Sequence, residues 1–408
     1  MTLDYKSIPP EIPIGRPSSD RVWMIDAIRG FALLGILLLN IQSFAMPLEA
    51  YFNAQAWLPT ERGMLVAHVM DVVGEGRFMS IFSILFGVGI VMQGERQHER
   101  ATSIHIRRML WLLAIGLIHA YIFWYGDILT CYALAGLAIF WLRKYSAKTL
   151  LWIALGLIGF GILFQLAMFA AMMFTPPDQQ FNPFVLGEGT AEERRVAEVT
   201  AMRGSWLDQM SYRGPYALMI QIFMIFAMPG LAGLMLLGMS LFKFGWFDFD
   251  RCRRARALMM VIGIGLGWTL GAAGMWLSRP GGPFEKPAAQ GSDPLAAFAI
   301  PLTAIGYISA LMFVCQLLGA RLLHPLACVG RTALSCYLTH TLICTTIFYG
   351  HGFGLFGNYD RFQLLGFVVG IWIAQLIIAP LWLSAFRFGP MEWLWRSLTY
   401  ARLQPLTK

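Results

Sequence analysis

The chain reads as an all-α, polytopic integral membrane protein of about ten transmembrane helices, with both termini cytoplasmic. Three observations predict this. Of its 408 residues 57% are hydrophobic and only 13% charged, with a mean hydropathy of +0.60, whereas soluble domains run near about 25% charged. Apolar runs of spanning or near-spanning length recur at 23–46, 78–94, 109–125, 127–142, 149–174, 215–242, 257–278, 296–318, 332–350 and 362–385. The cations then sort by side: with the N-terminus inside, 21 of the 31 Lys and Arg fall in inner segments and nine in outer ones, although the outer segments are longer. That asymmetry also accounts for the net charge of +8. No dense basic tract signals nucleic acid. The six cysteines include no C-x-x-C pair and none falls in an expected outer loop, which argues against a disulfide framework.

Residues 1–22 are polar and carry no hydrophobic signal region, so the first run is expected to act as an uncleaved anchor. Its start places Asp26 and Arg29 three residues apart, on one helical face near the inner interface. Two readings stand: a helix-end ion pair with Arg29 snorkelling, or a binding site for an anionic group entering from the cytoplasm. Asn40 and Gln42, near the other end, suit bonds between helices.

Segment 47–77 is expected outside. Its amphipathic stretch supplies His68, Asp71, Glu75 and Arg77. Asp71 and Glu75 would share a helical face and could divide acid and base duties, although Gly74 and Gly76 interrupt that helix and a solvated face is the commoner explanation.

The stretch 116–136 is the most informative. It carries His119 and Asp127 inside apolar sequence, where titratable groups normally face the bundle interior or a wet cavity. The run 127–142 would reach only about 24 Å at 1.5 Å per residue, short of the roughly 30 Å hydrocarbon core. The turn at 125–127 is therefore expected below the membrane surface. Asp127 would open into a recess, with His119 about two helical turns deeper. A histidine and carboxylate can orient and activate a hydroxyl or amine nucleophile. Eight residues apart on one helix they could not touch; Gly126 breaks the helix and leaves direct pairing open.

The outer insertion 175–214 contains a charged helical stretch, which reads as a solvated amphipathic helix on the bundle or as a substrate lid. The inner loop 243–256 is basic and aromatic and suits anionic headgroups, or alternatively an acidic cofactor such as a nucleotide. The loop 279–294 is Pro/Gly-rich and irregular. In the run 332–350, Cys336, His340 and Cys344 form one stripe that cannot close a tetrahedral metal site unaided. No metal is expected. His340 could face His119 across the recess. The glycines around 87–89 and 263–274 read as helix-packing positions, not as phosphate loops.

Taken together, Asp26–Leu37 (DAIRGFALLGIL) with Asn40, Phe82–Gly87 (FSILFG), His119 with Gly126-Asp127-Ile128-Leu129, Gly330–Ser335 (GRTALS), Leu342–Thr345 (LICT) and Gly389–Arg396 (GPMEWLWR) resemble the YeiB-like bacterial inner-membrane proteins, a domain of unknown function. That family is more distantly similar to transmembrane acyltransferases, including the lysosomal heparan-glucosaminide acetyltransferase and O-acyltransferases of bacterial envelope glycans. The resemblance implies a multi-pass protein of the bacterial inner membrane, acyl-CoA as cytoplasmic donor with no tightly bound cofactor, and an envelope lipid or saccharide acceptor among membrane lipids. Those enzymes use a histidine in or near the first outer loop; the loop 47–62 has none, and His68 is the nearest. Acceptor chemistry would then fall to His119, Asp127 or Asp71, donor phosphate to Arg29, and further contacts to Asp26, Arg77 and His340. The competing class is a transporter or lipid-handling protein using the same polar groups. The expected organisation is an N-terminal cytoplasmic segment 1–22, one membrane domain 23–385, and a cytoplasmic tail 386–408.

Overall fold

The computed structural model describes residues 19–96, 101–174, 189–279, 282 and 294–408; the Pro/Gly-rich loop and the start of the outer insertion lie largely outside these. The described residues form fifteen α-helices and no strand. In chain order they are α1 (Ser19–Ala45), α2 (Leu48–Phe52), α3 (Glu61–Val73), α4 (Arg77–Arg96), α5 (Ala101–Ile118), α6 (Leu129–Ile139), α7 (Ala147–Phe174), α8 (Ala191–Arg203), α9 (Trp206–Lys243), α10 (Arg253–Leu277), α11 (Ala296–Leu322), α12 (His324–Arg331), α13 (Ala333–Phe348), α14 (Arg361–Ala385) and α15 (Pro390–Tyr400). Among the described residues eight helical stretches are long and apolar enough to cross a membrane. The two remaining apolar runs are shorter: α13 has 16 residues, and α6 has 11 before a 3₁₀ turn, Phe140–Lys144, ends it.

Close crossings hold the bundle together. A Cβ built on Gly87 would fall 1.8 Å from Met235 O, and one on Gly238 would fall 1.9 Å from Ile84 O, so α4 and α9 touch backbone to backbone. Gly30 and Gly330 do the same for α1 against α12, and Gly263 with Gly306 for α10 against α11. Gly89, by contrast, faces open space. Large apolar side chains on α7, α9 and α10, such as Trp152, Phe226 and Val261, point outward, as lipid contact requires.

The two ends of the bundle differ. The end bearing α2, α3 and α8 is capped. Both carboxylate oxygens of Glu198 on α8 accept from the Leu48 amide at 3.1 Å, Arg195 pairs with Glu49 at 3.0 Å, and Gly350 N donates to Met202 O at 2.9 Å. The charged helix is thus clamped onto the bundle along one face, with Glu198 and Met202 buried. At the opposite, basic end the tail is packed rather than free. Glu392 accepts from the Leu334 and Ser335 amides at 2.6 and 3.0 Å and so caps the start of α13. Trp395 Nε1 donates to Arg108 O at 2.8 Å. In the basic loop Arg256 is turned inward onto the carbonyls of Trp246, Asp248, Phe249 and Arg251; that cation is structural.

Candidate functional site

α5 does not run straight into a loop. Its last residues widen into a π-helical turn, His119–Phe123, closed by Trp124 N donating to His119 O at 2.9 Å. Such bulges concentrate at functional sites. The backbone then extends through Trp124 and turns at Gly126, where a Cβ would strike the Trp124 ring at 2.3 Å. This folded-back turn brings Asp127 level with His119.

The outcome is a buried relay. His119 Nδ1–H donates to Asp127 Oδ1 at 2.8 Å, while Asp127 Oδ2 accepts from Thr130 N and Thr130 Oγ1, each at 2.8 Å. With the Nδ1–H bonded to the carboxylate, Nε2 is free to act as the acceptor. It takes the hydroxyl of Thr341, on α13, at 2.8 Å. Acid, imidazole and hydroxyl thus stand in the order used for acyl transfer. The side chains of His119 and Asp127 are 2% and 0% exposed. Gly116 must lack a side chain, since a Cβ there would meet Thr130 N at 2.7 Å and Asp127 Oδ2 at 3.0 Å.

A cavity of about 420 Å³ adjoins this relay, within the range of small-molecule sites. Trp124, Gly126 and Asp127 lie on its wall; His119 does not. The Trp124 ring meets His119 edge-on at a centroid distance of 6.1 Å, so one side-chain layer separates imidazole from cavity. Expecting His119 two turns deeper than Asp127 is therefore corrected: the π turn and the break at Gly126 place them in direct contact. Trp124 also carries a buried indole N–H with no hydrogen-bond partner.

The other sequence candidates scatter. His340 does not face His119. It points to the far side of α13, bonding Gln375 of α14 at 2.8 Å, while Gln375 Nε2 donates to Cys336 O. Asp71 sits exposed on α3 and Glu75 in the turn after it, so the two do not share a helix. Of these, Glu75 lines the cavity. Arg77 is fully buried and donates to the Asp71 and Glu75 carbonyls. Asp26 and Arg29 form an ion pair at 2.6 Å at the basic end, with Arg29 a quarter exposed. Gln42 bonds Arg361 of α14 at 2.9 Å, a contact between helices. Among the described residues no cluster of three or more His, Cys, Asp or Glu side chains could hold a metal ion.

Over 401 residues the chain is 34% identical to the uncharacterized protein YeiB of Escherichia coli (strain K12), an alignment covering 93% of this chain and 97% of that protein. A model described as "Protein of unknown function (DUF418)" matches residues 241–402. The chain belongs to the YeiB-like DUF418 family. It is also 28% identical over 411 residues to the uncharacterized protein YxaH of Bacillus subtilis (strain 168), covering 96% of this chain and 97% of that one. Within this DUF418 protein the relay straddles the matched segment: Thr341 lies inside it, His119 and Asp127 before it.

Sequence reasoning passed over Thr341, Trp124 and Glu198. Thr341 carries no charge, so hydropathy could not flag it. Glu198 had a signal: it shares a 3.6-residue stripe with Ala191 and Met202, the face a docked helix buries.

Proposed function

We propose that this protein is an acyltransferase-like enzyme of the bacterial inner membrane, moving an acyl group from a cytoplasmic acyl-CoA to an envelope lipid or saccharide. The observation that carries the reading is His119 held between a carboxylate and a hydroxyl in the buried core. In the proposed step Nε2 of His119 takes the proton of the acceptor hydroxyl or amine as that oxygen or nitrogen bonds the thioester carbonyl carbon. The C–S bond breaks, and the departing thiolate recovers the proton from the imidazolium. Asp127 holds the ring in the required tautomer. Thr341 holds the Nε2 face of the ring at rest and turns its hydroxyl to position the incoming acceptor, which Trp124 must swing aside to admit. At the basic end Arg29 is proposed to meet the donor phosphates, in company with Arg331, whose charge also reaches Asp26.

A second reading, lipid handling without chemistry, draws on the mainly apolar cavity walls. The test is release of free thiol from acyl-CoA, with acceptor present, by purified protein in lipid nanodiscs. Turnover that falls at least about 100-fold in both His119→Ala and Asp127→Asn supports the enzyme, in line with the usual weight of acid–base catalysis. Undiminished turnover in both variants overturns it.

A further inference from the structure

The cavity beside the relay is divided chemically. At the capped end its wall carries Asn40, Ser43, Tyr51 and Glu75, beside the unpartnered Trp124 indole and Asp127. From there it runs between α7 and α9, where the wall is Ile162, Phe223, Ala227 and Leu231. Its contacts on α9 extend from Ile220 to Leu234, roughly 21 Å at 1.5 Å per residue. Phe226 belongs to this wall and is 54% exposed, and Leu163, next to the wall residue Ile162, is 66% exposed. The apolar arm therefore communicates with the region where lipid tails lie.

The charges on the wall narrow the ligand. Two carboxylates, Glu75 and Asp127, belong to it, and no Lys, Arg or His does among the described residues. A phosphate entering this space would meet no cation on the wall and the Glu75 carboxylate, and its desolvation would go uncompensated. Hydroxyls suit it, since they can donate to Glu75 and both donate to and accept from Asn40, Ser43 and Tyr51.

We infer that this cavity binds an uncharged, hydroxyl-bearing membrane lipid, with one alkyl chain between α7 and α9 and its hydroxylated head against Trp124, Glu75 and Asn40. This rests on the acyltransferase reading only in naming the lipid as acceptor; the binding itself does not. An alkyl chain leaves one apolar medium for another, so selectivity comes from the head and the chain sets position.

The test uses the full chain in phosphatidylcholine nanodiscs with two photoreactive probes. One is a diacylglycerol bearing a diazirine on one acyl chain; the other is a phosphatidylglycerol with the same labelled chain. We expect the diacylglycerol to label the α7 and α9 peptides at least fivefold more than the phosphatidylglycerol does. Ala227→Trp, or Ile162→Trp on the opposite wall, should abolish that excess, and Leu163→Trp on the outer surface should keep it. Equal labelling by the two probes, a phosphatidylglycerol preference, or an excess that survives both wall substitutions overturns the inference. The excess should persist in His119→Ala, which separates the two proposals: an excess in the unsubstituted chain without acyl-CoA turnover sinks the chemistry alone. Equal labelling of the unsubstituted chain by the two probes, together with transfer to a soluble saccharide that Ala227→Trp leaves intact, sinks the lipid site alone.

Discussion

Two buried histidines flank the same turn of α13 and differ in the company they keep. His119 reaches Thr341 on one side, and its other nitrogen is held by Asp127. His340, the next residue along α13, turns away to Gln375. The first ring has a carboxylate that can balance a positive charge; the second has an amide that cannot. A buried imidazole becomes useful as a base when its protonated form is stabilised, and only one of these two sites provides that. Depth in the membrane does not distinguish a reactive histidine from a packed one. The partner does.

That contrast can be tested from both sides. The largest effect is expected at Thr341, where Thr341→Val removes the hydroxyl from Nε2 and should lower acyl-CoA turnover about 10- to 100-fold, while Thr341→Ser stays near wild type. Steady-state kinetics of the two variants check this, and an unchanged Thr341→Val would separate the hydroxyl from the relay. His340→Leu should behave oppositely. It leaves Gln375 Oε1 without its donor and costs about 1–3 kcal/mol of stability, measurable as a lower unfolding temperature, with turnover per folded molecule within threefold of wild type. Turnover abolished in His340→Leu would erase the contrast between the two rings.

The smallest effect concerns the cap. Burial pushes the Glu198 carboxyl up to about 8, against the lowering effect of the Leu48 amide and the Tyr212 hydroxyl, and Glu49 adds to the rise. Because the folded value exceeds the ordinary one, the folded state holds the extra proton between about 4.5 and 8. Its contribution to docking α8 is full below about 4.5 and is lost as pH climbs through 8. A spin label at Arg194→Cys should therefore grow more mobile from pH 5.5 to 8.5, and Glu198→Gln should flatten that response. A mobility independent of pH in the unsubstituted cap would mean the proton has no part in docking.

Much of this architecture was legible beforehand because lipid imposes a simple rule: a helix that crosses must be apolar for most of its length. His119 and Asp127 stood out for the same reason, as titratable groups in sequence that could not hydrate them. Their contact was hidden. Helical arithmetic places residues 119 and 127 two turns apart, and nothing in the local residue types announces the π turn that undoes that separation. Thr341 comes from 222 positions away, a distance that no local pattern crosses. The membership of the cavity wall was likewise out of reach, since it depends on which faces of α1, α4, α7 and α9 meet. Glu198 escaped notice because Glu192, Glu193 and Glu198 look alike as residues, and only their angular position on α8 tells them apart.

The capping of α13 by Glu392 carries a practical corollary. The carboxylate that closes the first turn of that helix belongs to the last stretch of the chain, and Thr341 sits two turns further along. The C-terminus is therefore a handle on the proposed site: a chain cut before Pro390 would release the bracket that fixes the register of the threonine hydroxyl against the imidazole. Anything that grips α15 from the basic side would pull on the same lever.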